Sequence, residues 1–321
     1  MKNIYLNIFK PNYINLKKAK KNINNNNIIA IPTETVYGLA GNAYSDKSIK
    51  KIFLLKKRPS NNPLIIHYNN LKDLQHDAIV NEPFLKLYKA FCPGPVTFIL
   101  KKKLKSQISK LASAGKKTIA IRFPKHKVTR NLLKILSVPL AAPSANISSM
   151  LSPTCANDVL DEFKNKVKFV LDGGQCKIGL ESTIIDLTNK PSILRYGAIT
   201  ALKISKVLKK NVIKNNLLKT IKSPGQFKSH YSPGIPVYMN KKKPKTGEAF
   251  ITFGKNFKNV KNSFNLSKNN NLGEAANNLY KIMRKIKKRG FKSMSVVKIP
   301  DYGIGSAINE RLKKASYKWK K

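Results

Sequence analysis

The sequence predicts an α/β fold in two parts, a large first domain and a small second one, and three observations carry that reading. Short apolar runs alternate with helix-patterned stretches over the first two hundred residues. A Lys- and Asn-rich stretch punctuated by Ser223-Pro224-Gly225 and Ser232-Pro233-Gly234 then interrupts the pattern. The alternation resumes near residue 246, giving expected boundaries of 1–205 for the first domain, 206–245 for a linker and 246–321 for the second domain.

In the first domain the strand candidates are Ile28–Ile31, Leu64–His67, Val96–Leu100, Thr118–Phe123, Pro139–Ala142, Phe169–Leu171, Thr183–Leu187 and Ser192–Arg195. The spacing of Ile49, Ile52 and Phe53 predicts a helix over Asp46–Lys57, with Ser45 placed to cap it. A second helix, Glu82–Phe91, gathers Phe84, Leu87, Tyr88 and Phe91 on one side and stops at Pro93-Gly94-Pro95. A third follows Pro153 and buries Val159, Leu160 and Phe163. In the second domain we expect strands at Ala249–Phe253 and Ser295–Ile299, and helices at Leu272–Arg289 and Gly305–Ala315. There is no internal repeat.

Composition narrows the function classes. At 41% hydrophobic residues the chain can bury ordinary cores, and no apolar run approaches the roughly 20 residues of a membrane-spanning helix. Cys92, Cys155 and Cys176 are scattered and lack metal-site spacing, and no secretory signal is read at the N-terminus. A reducing, cytoplasmic setting is expected. The charge is extreme, 63 Lys+Arg against 15 Asp+Glu, formally +48. Such a surface attracts polyanions and would give non-specific RNA binding. The excess is spread along the chain with Lys, Asn and Ile, so compositional drift in an A/T-rich genome is favoured over a dedicated nucleic-acid face.

Several segments carry candidate chemistry. In Ile31-Pro32-Thr33-Glu34-Thr35-Val36-Tyr37-Gly38-Leu39-Ala40 an apolar strand runs into hydroxyls and a carboxylate, then a glycine turn, a place to hold a small polar ligand. Lys56 and Arg58 sit at a helix end, and Asn62 and His67 bracket the next strand. Arg122, in Thr118-Ile119-Ala120-Ile121-Arg122, needs an anion partner in so apolar a strand. A protein carboxylate or a substrate carboxylate would serve, and the scarcity of acidic residues weakens the first option. In Ala141-Ala142-Pro143-Ser144-Ala145-Asn146 and Ser152-Pro153-Thr154, hydroxyls precede a helix. Simple capping accounts for Ser152 fully and for Ser144 less well. There is no Walker loop, no carboxylate pair and no Ser-His-Asp order.

Taken in order, IPTETVYGLAG, KKRPSNNPLIIH, FCPGPVTFIL, TIAIRFP, APSANISSMLSPT, LDGG, GLESTIIDL and ILRYG resemble the YrdC-type threonylcarbamoyl-AMP synthases. The later strings SPGQFKSHYSP and GIGSAINERLKKAS resemble the two-domain, yeast-type form. The resemblance implies a twisted open mixed sheet with helices, plus a small Rossmann-like second domain. It implies that Thr35, His67, Arg122, Ala142 and Ser182 surround L-threonine, and that Lys56, Arg58, Asn62, Thr118, Ser144, Asn146, Ser152 and Arg195 surround ATP, Lys56 and Arg58 being the catalytic cations. Tyr231 would fold over the nucleotide as a lid. The implied reaction joins L-threonine, bicarbonate or CO2 and ATP, with Mg2+ carried by the nucleotide rather than by protein side chains. Its product would reach tRNA through a separate transferase complex, modifying the adenosine next to the anticodon in tRNAs that read codons beginning with A. Two other readings stand beside it: a carbamoyl-adenylate-forming enzyme, and an RNA-binding module.

Overall fold

The structure is a computed structural model and describes residues 4–214, 222–227, 229–257 and 260–317. Parts of the expected linker, 215–221 and Lys228, therefore lie outside the described residues.

The first part is built on ten strands. They are β1 (Ile8–Phe9), β2 (Ile29–Ile31), β3 (Gly38–Asn42), β4 (Ile65–His67) and β5 (Val96–Lys101), then β6 (Thr118–Arg122), β7 (Leu140–Ala141), β8 (Val170–Leu171), β9 (Thr183–Asp186) and β10 (Ser192–Arg195). They form one mixed sheet in the order β1-β8-β2-β3-β7-β4-β6-β5-β9-β10. Seven helices accompany it: α1 (Tyr13–Asn24), α2 (Asp46–Lys56), α3 (Leu71–Leu74), α4 (Glu82–Phe91), α5 (Lys127–Ile135), α6 (Ala156–Phe163) and α7 (Ala201–Leu208).

Period-two alternation divides the strands between two cores. Ile29, Ile31, Ala40 and Leu140 pack with Leu16, Ala19 and Ile23 of α1 and Leu132 and Leu133 of α5. Their neighbours Ala30, Leu39 and Ala141 join the larger core, with Ile49 and Ile52 of α2, Phe84 and Leu87 of α4, and Val159 and Leu160 of α6. Farther along the sheet Ile65, Ile99, Ala120, Ile184 and Leu194 make a small separate apolar floor. Because Ile65 and His67, Ile99 and Thr97, Ala120 and Arg122, and Ile184 and Ser182 are each two residues apart, that floor continues into polar side chains at one end.

Most expected elements are present, and the differences have physical reasons. The glycine of the Tyr37-Gly38-Leu39 segment is not a turn residue. Gly38 opens β3, antiparallel to β2 with Ile31 opposite it. A Cβ there would stand 3.3 Å from Ala142 Cβ, so a side chain would push the neighbouring segment aside and glycine suits the close approach. Helix α6 begins at Ala156 behind Cys155, so Ser152 is not its cap.

The second part is a four-stranded parallel sheet. Its strands are β11 (Val237–Tyr238), β12 (Ala249–Thr252), β13 (Ser263–Asn265) and β14 (Met294–Val296), in the order β11-β14-β12-β13. Helices α8 (Leu272–Lys288) and α9 (Gly305–Ala315) belong to it. Asn271 caps α8 by accepting from Glu274 N; of the residues whose spacing predicts an inward face, Ala276, Leu279, Met283 and Ile286 are buried and Leu272 only partly so.

The two parts share a core. Val36, Leu151 and Leu180 of the first cluster with Tyr231 and with Leu279, Tyr280 and Leu312 of the second. Gly179 packs directly on α8, where an added Cβ would stand 2.7 Å from Asn277 Cα. No described helix is long and apolar enough to cross a membrane.

Candidate active site

The ends of β4, β6, β5, β9 and β10 bring polar side chains from distant segments to one hollow. Register places His67 beside Arg122 and Arg122 beside Thr97. The Thr97 and Ser182 hydroxyls are 2.7 Å apart. A bulge between Ile193 and Arg195 shifts the register of β10. Arg195 then donates from Nη2 to Ser182 Oγ at 3.1 Å and from Nε to the Ser182 carbonyl at 3.0 Å. Thr33, Gly38, Arg58, His67, Arg122, Ala142, Ser144, Glu181, Ser182, Arg195, His230 and Tyr231 are among the lining residues, and the free volume is only about 40 Å3.

The two ends differ electrostatically. Arg122 donates from Nη2 to Glu34 Oε1 at 2.7 Å, and Glu34 Oε2 accepts from Lys125 N at 3.0 Å. Burial alone would push the Glu34 carboxyl up, but the Arg122 charge and these hydrogen bonds outweigh it and hold it below its ordinary value. The scarcity of acidic residues therefore misled: the anion facing Arg122 is a protein carboxylate. Arg122 Nε is still buried and without a hydrogen-bond partner among the described residues. His67 is held neutral, its pKa pushed down to about 3 by burial and then by Arg122.

At the other end Arg58 donates to the Asn62 carbonyl at 3.0 Å, to Asn62 Oδ1 at 2.6 Å and to the Pro63 carbonyl at 2.8 Å. Arg58 and Arg195 are buried, and neither has a carboxylate within ion-pair distance among the described residues. Burial and then the nearby Arg195 push the Arg58 pKa down to about 9. Two buried guanidiniums thus line one hollow with no carboxylate at ion-pair distance among the described residues, an arrangement that can meet an anion.

Several candidate residues stand behind this lining. Thr35 is fully buried, its hydroxyl 2.8 Å from that of Thr33, which lines the hollow instead. Asn62 supports Arg58. Ser152 Oγ donates to Glu181 Oε1 at 2.5 Å. Lys56 donates to the carbonyls of Ser144, at 2.5 Å, and Asn146. Asn146 Nδ2 turns to the carbonyls of Ile147 and Met150. Thr118 is at the far end of β6, away from Arg122 and outside the lining.

The lid residue expected at Tyr231 is inside the hollow. It is 1% exposed, at φ 60°, and its hydroxyl has no hydrogen-bond partner among the described residues. The second part grips it: the Arg311 guanidinium lies 5.1 Å from its ring centroid and the Tyr280 ring stacks at 6.1 Å. Lys314 donates to the Gly225 carbonyl, and its own carbonyl accepts from His230 N at 3.3 Å. Arg311 also donates to Glu181 Oε2 at 2.9 Å, and Tyr280 Oη donates to the same carboxylate. Sequence reasoning did not assign Glu181, Tyr280 or Arg311, although Glu181 adjoins Ser182 and Arg311 falls in GIGSAINERLKKAS.

A twisted mixed sheet whose strand ends gather buried guanidiniums, hydroxyls and an inserted tyrosine has the architecture of an α/β enzyme. The chain belongs to the Sua5/YciO/YrdC family: residues 21–197 match that family's model, described as "Telomere recombination". Residues 199–316 match the model described as "Threonylcarbamoyl-AMP synthase, C-terminal domain". The threonylcarbamoyl-AMP synthase of Pyrococcus abyssi is 35% identical over 308 residues, 90% of each chain. That of Bacillus subtilis is 32% identical, over 94% of this chain and 92% of its own. The crystal structure of P. abyssi Sua5 complexed with L-threonine superposes with a TM-score of 0.87 at 32% identity, covering 96% of both chains.

Proposed function

We propose that this chain is an L-threonylcarbamoyladenylate synthase. The observation that carries the reading is the split hollow: an Arg122–Glu34 ion pair at one end, and at the other Arg58 and Arg195 with no carboxylate within ion-pair distance among the described residues. Relatives named for this product, and a relative whose structure holds L-threonine, support it.

Threonine's amine and bicarbonate condense to a carbamate with loss of water. A carbamate oxygen attacks the α-phosphorus of ATP in line, the new P–O bond forms, and pyrophosphate leaves with the electrons of the broken bond. The nucleophile is already anionic, so the protein supplies position and charge rather than a general base. Arg122 Nε, His67 and the Thr97–Ser182 hydroxyl pair would hold threonine. Arg58, Arg195 and Ser144 would offset the phosphates, with the Tyr231 segment as lid. Glu34 and Glu181 are both engaged by arginines, so the donor set fits a magnesium ion that arrives on the triphosphate. About 40 Å3 is room for a few waters at most, so the lining has to open before both substrates enter, and Tyr231 is part of that lining.

The three cysteines are free, in keeping with a reducing cytoplasm. A transferase that accepts the adenylate and acts on tRNA would consume the product.

Mass spectrometry of the protein incubated with ATP, Mg2+, labelled bicarbonate and threonine, with serine as control, tests the reading. Label should appear in a threonine-dependent adenylate. Pyrophosphate release indifferent to the amino acid would overturn it.

A further inference from the structure

Lys56 and Arg58 are two residues apart, yet the structure gives them different positions. Arg58 lines the hollow and Lys56 does not. Lys56 ends α2, is 1% exposed and has no carboxylate within ion-pair distance among the described residues. A buried ammonium without a carboxylate must find other acceptors. Here they are two backbone carbonyls of one turn, those of Ser144 and Asn146.

The same turn is tied to Lys56 a second time, because Ser148 N donates to the Lys56 carbonyl at 2.8 Å. Asn146 N donates to the Ser144 carbonyl at 3.0 Å, and Ile147 N to Glu162 Oε1 at 3.0 Å, which closes the turn on itself and on α6. Ser144, held by its own carbonyl, is the member of this turn that presents to the hollow. Burial, and then the neighbouring Arg58 charge, push the Lys56 pKa well down.

We propose that Lys56 is a positioning residue: its amine braces the 144–146 turn from behind, so that Ser144 faces the nucleotide without Lys56 touching it. To reach a phosphate the amine would have to abandon both carbonyls, and that of Asn146 would lose its donor in a buried place. The proposal rests on the reading of Ser144 as an ATP contact, and the tests separate the two.

Steady-state kinetics of K56M, S144A and the double variant, varying ATP and threonine separately, read the coupling. K56M removes every donor at similar volume. It should raise KM for ATP about ten- to a hundredfold and leave KM for threonine within about twofold. S144A should also raise KM for ATP, and the double variant should be no worse than the worse single one, because both act through one group. Penalties that multiply would mean an independent phosphate contact and overturn the proposal. An ATP defect in S144A but none in K56M would overturn it alone, whereas no ATP defect in S144A would remove the reading of Ser144 and the proposal together.

Acetic anhydride labelling of the wild-type protein, read by mass spectrometry, serves even if K56M does not fold. Lys56 should stay unlabelled with and without ATP. Labelling that ATP suppresses would place it in the nucleotide's path and overturn the proposal.

Discussion

Arg122 and Arg195 occupy one hollow and meet opposite electrostatic treatment. Arg122 is matched by Glu34 at 2.7 Å, whereas Arg195 spends its donors on Ser182 and, like Arg58, has no carboxylate partner among the described residues. The difference follows the charge of the two proposed substrates. Threonine enters as a zwitterion, so a balanced ion pair with a spare Nε suits it. A triphosphate brings several negative charges and calls for cations left uncompensated. Burying such cations costs stability, and their hydrogen bonds to carbonyls offset part of that cost.

The strongest way to break this contrast is to unpair the paired end. E34Q leaves the Arg122 charge buried without its counter-ion and should lower unfolding free energy by about 3–5 kcal/mol in chemical denaturation. The Glu34 carboxyl is held below its ordinary value of 4.5, so its contribution is present above about pH 4.5 and is lost as pH falls through the folded value. Wild type should therefore lose stability below pH 4.5 more steeply than E34Q, and parallel curves would refute the pairing. Next in size, R195A should lower kcat/KM for ATP about a hundredfold or more with much smaller change in KM for threonine. Equal losses for both substrates would erase the distinction between the ends. Smallest is Y231F. It removes a buried hydroxyl that has no partner among the described residues, so thermal unfolding should show a gain of about 1 kcal/mol while ATP binding weakens. A loss of stability would mean that the hydroxyl is satisfied.

The sheet was legible where apolar residues dominate. Val96–Leu100, Thr118–Phe123 and Ser192–Arg195 are strands almost to the residue. Elements escaped where Lys and Asn flood the exposed face: α1 reads YINLKKAKKNIN and buries only Leu16, Ala19 and Ile23, and α5 buries only Thr129, Leu132 and Leu133. Long lysine stems cover apolar surface while keeping their charge in water, so such helices lack an evident apolar stripe. Strand β3, Gly-Leu-Ala-Gly-Asn, is poor in β-branched residues because close packing sets its composition. At the site, residue types pointed to a basic, hydroxyl-rich cavity. Which side chains face it depends on partners far off in sequence, as with Glu34 and Arg122, 88 residues apart, or Glu181 and Arg311, 130 apart.

Five of the 15 carboxylates in this chain tie its two parts together. Arg284 reaches Asp158 and Glu162, Lys288 reaches Asp161, Arg311 reaches Glu181 and Lys214 reaches Glu310. Truncation after residue 205 would therefore do more than delete a neighbour. It would strip Leu151, Leu180 and Val36 of their apolar cover and orphan the Glu181 charge one residue from Ser182. The first part of this molecule therefore leans on the second for part of its core and for the partner of one buried charge.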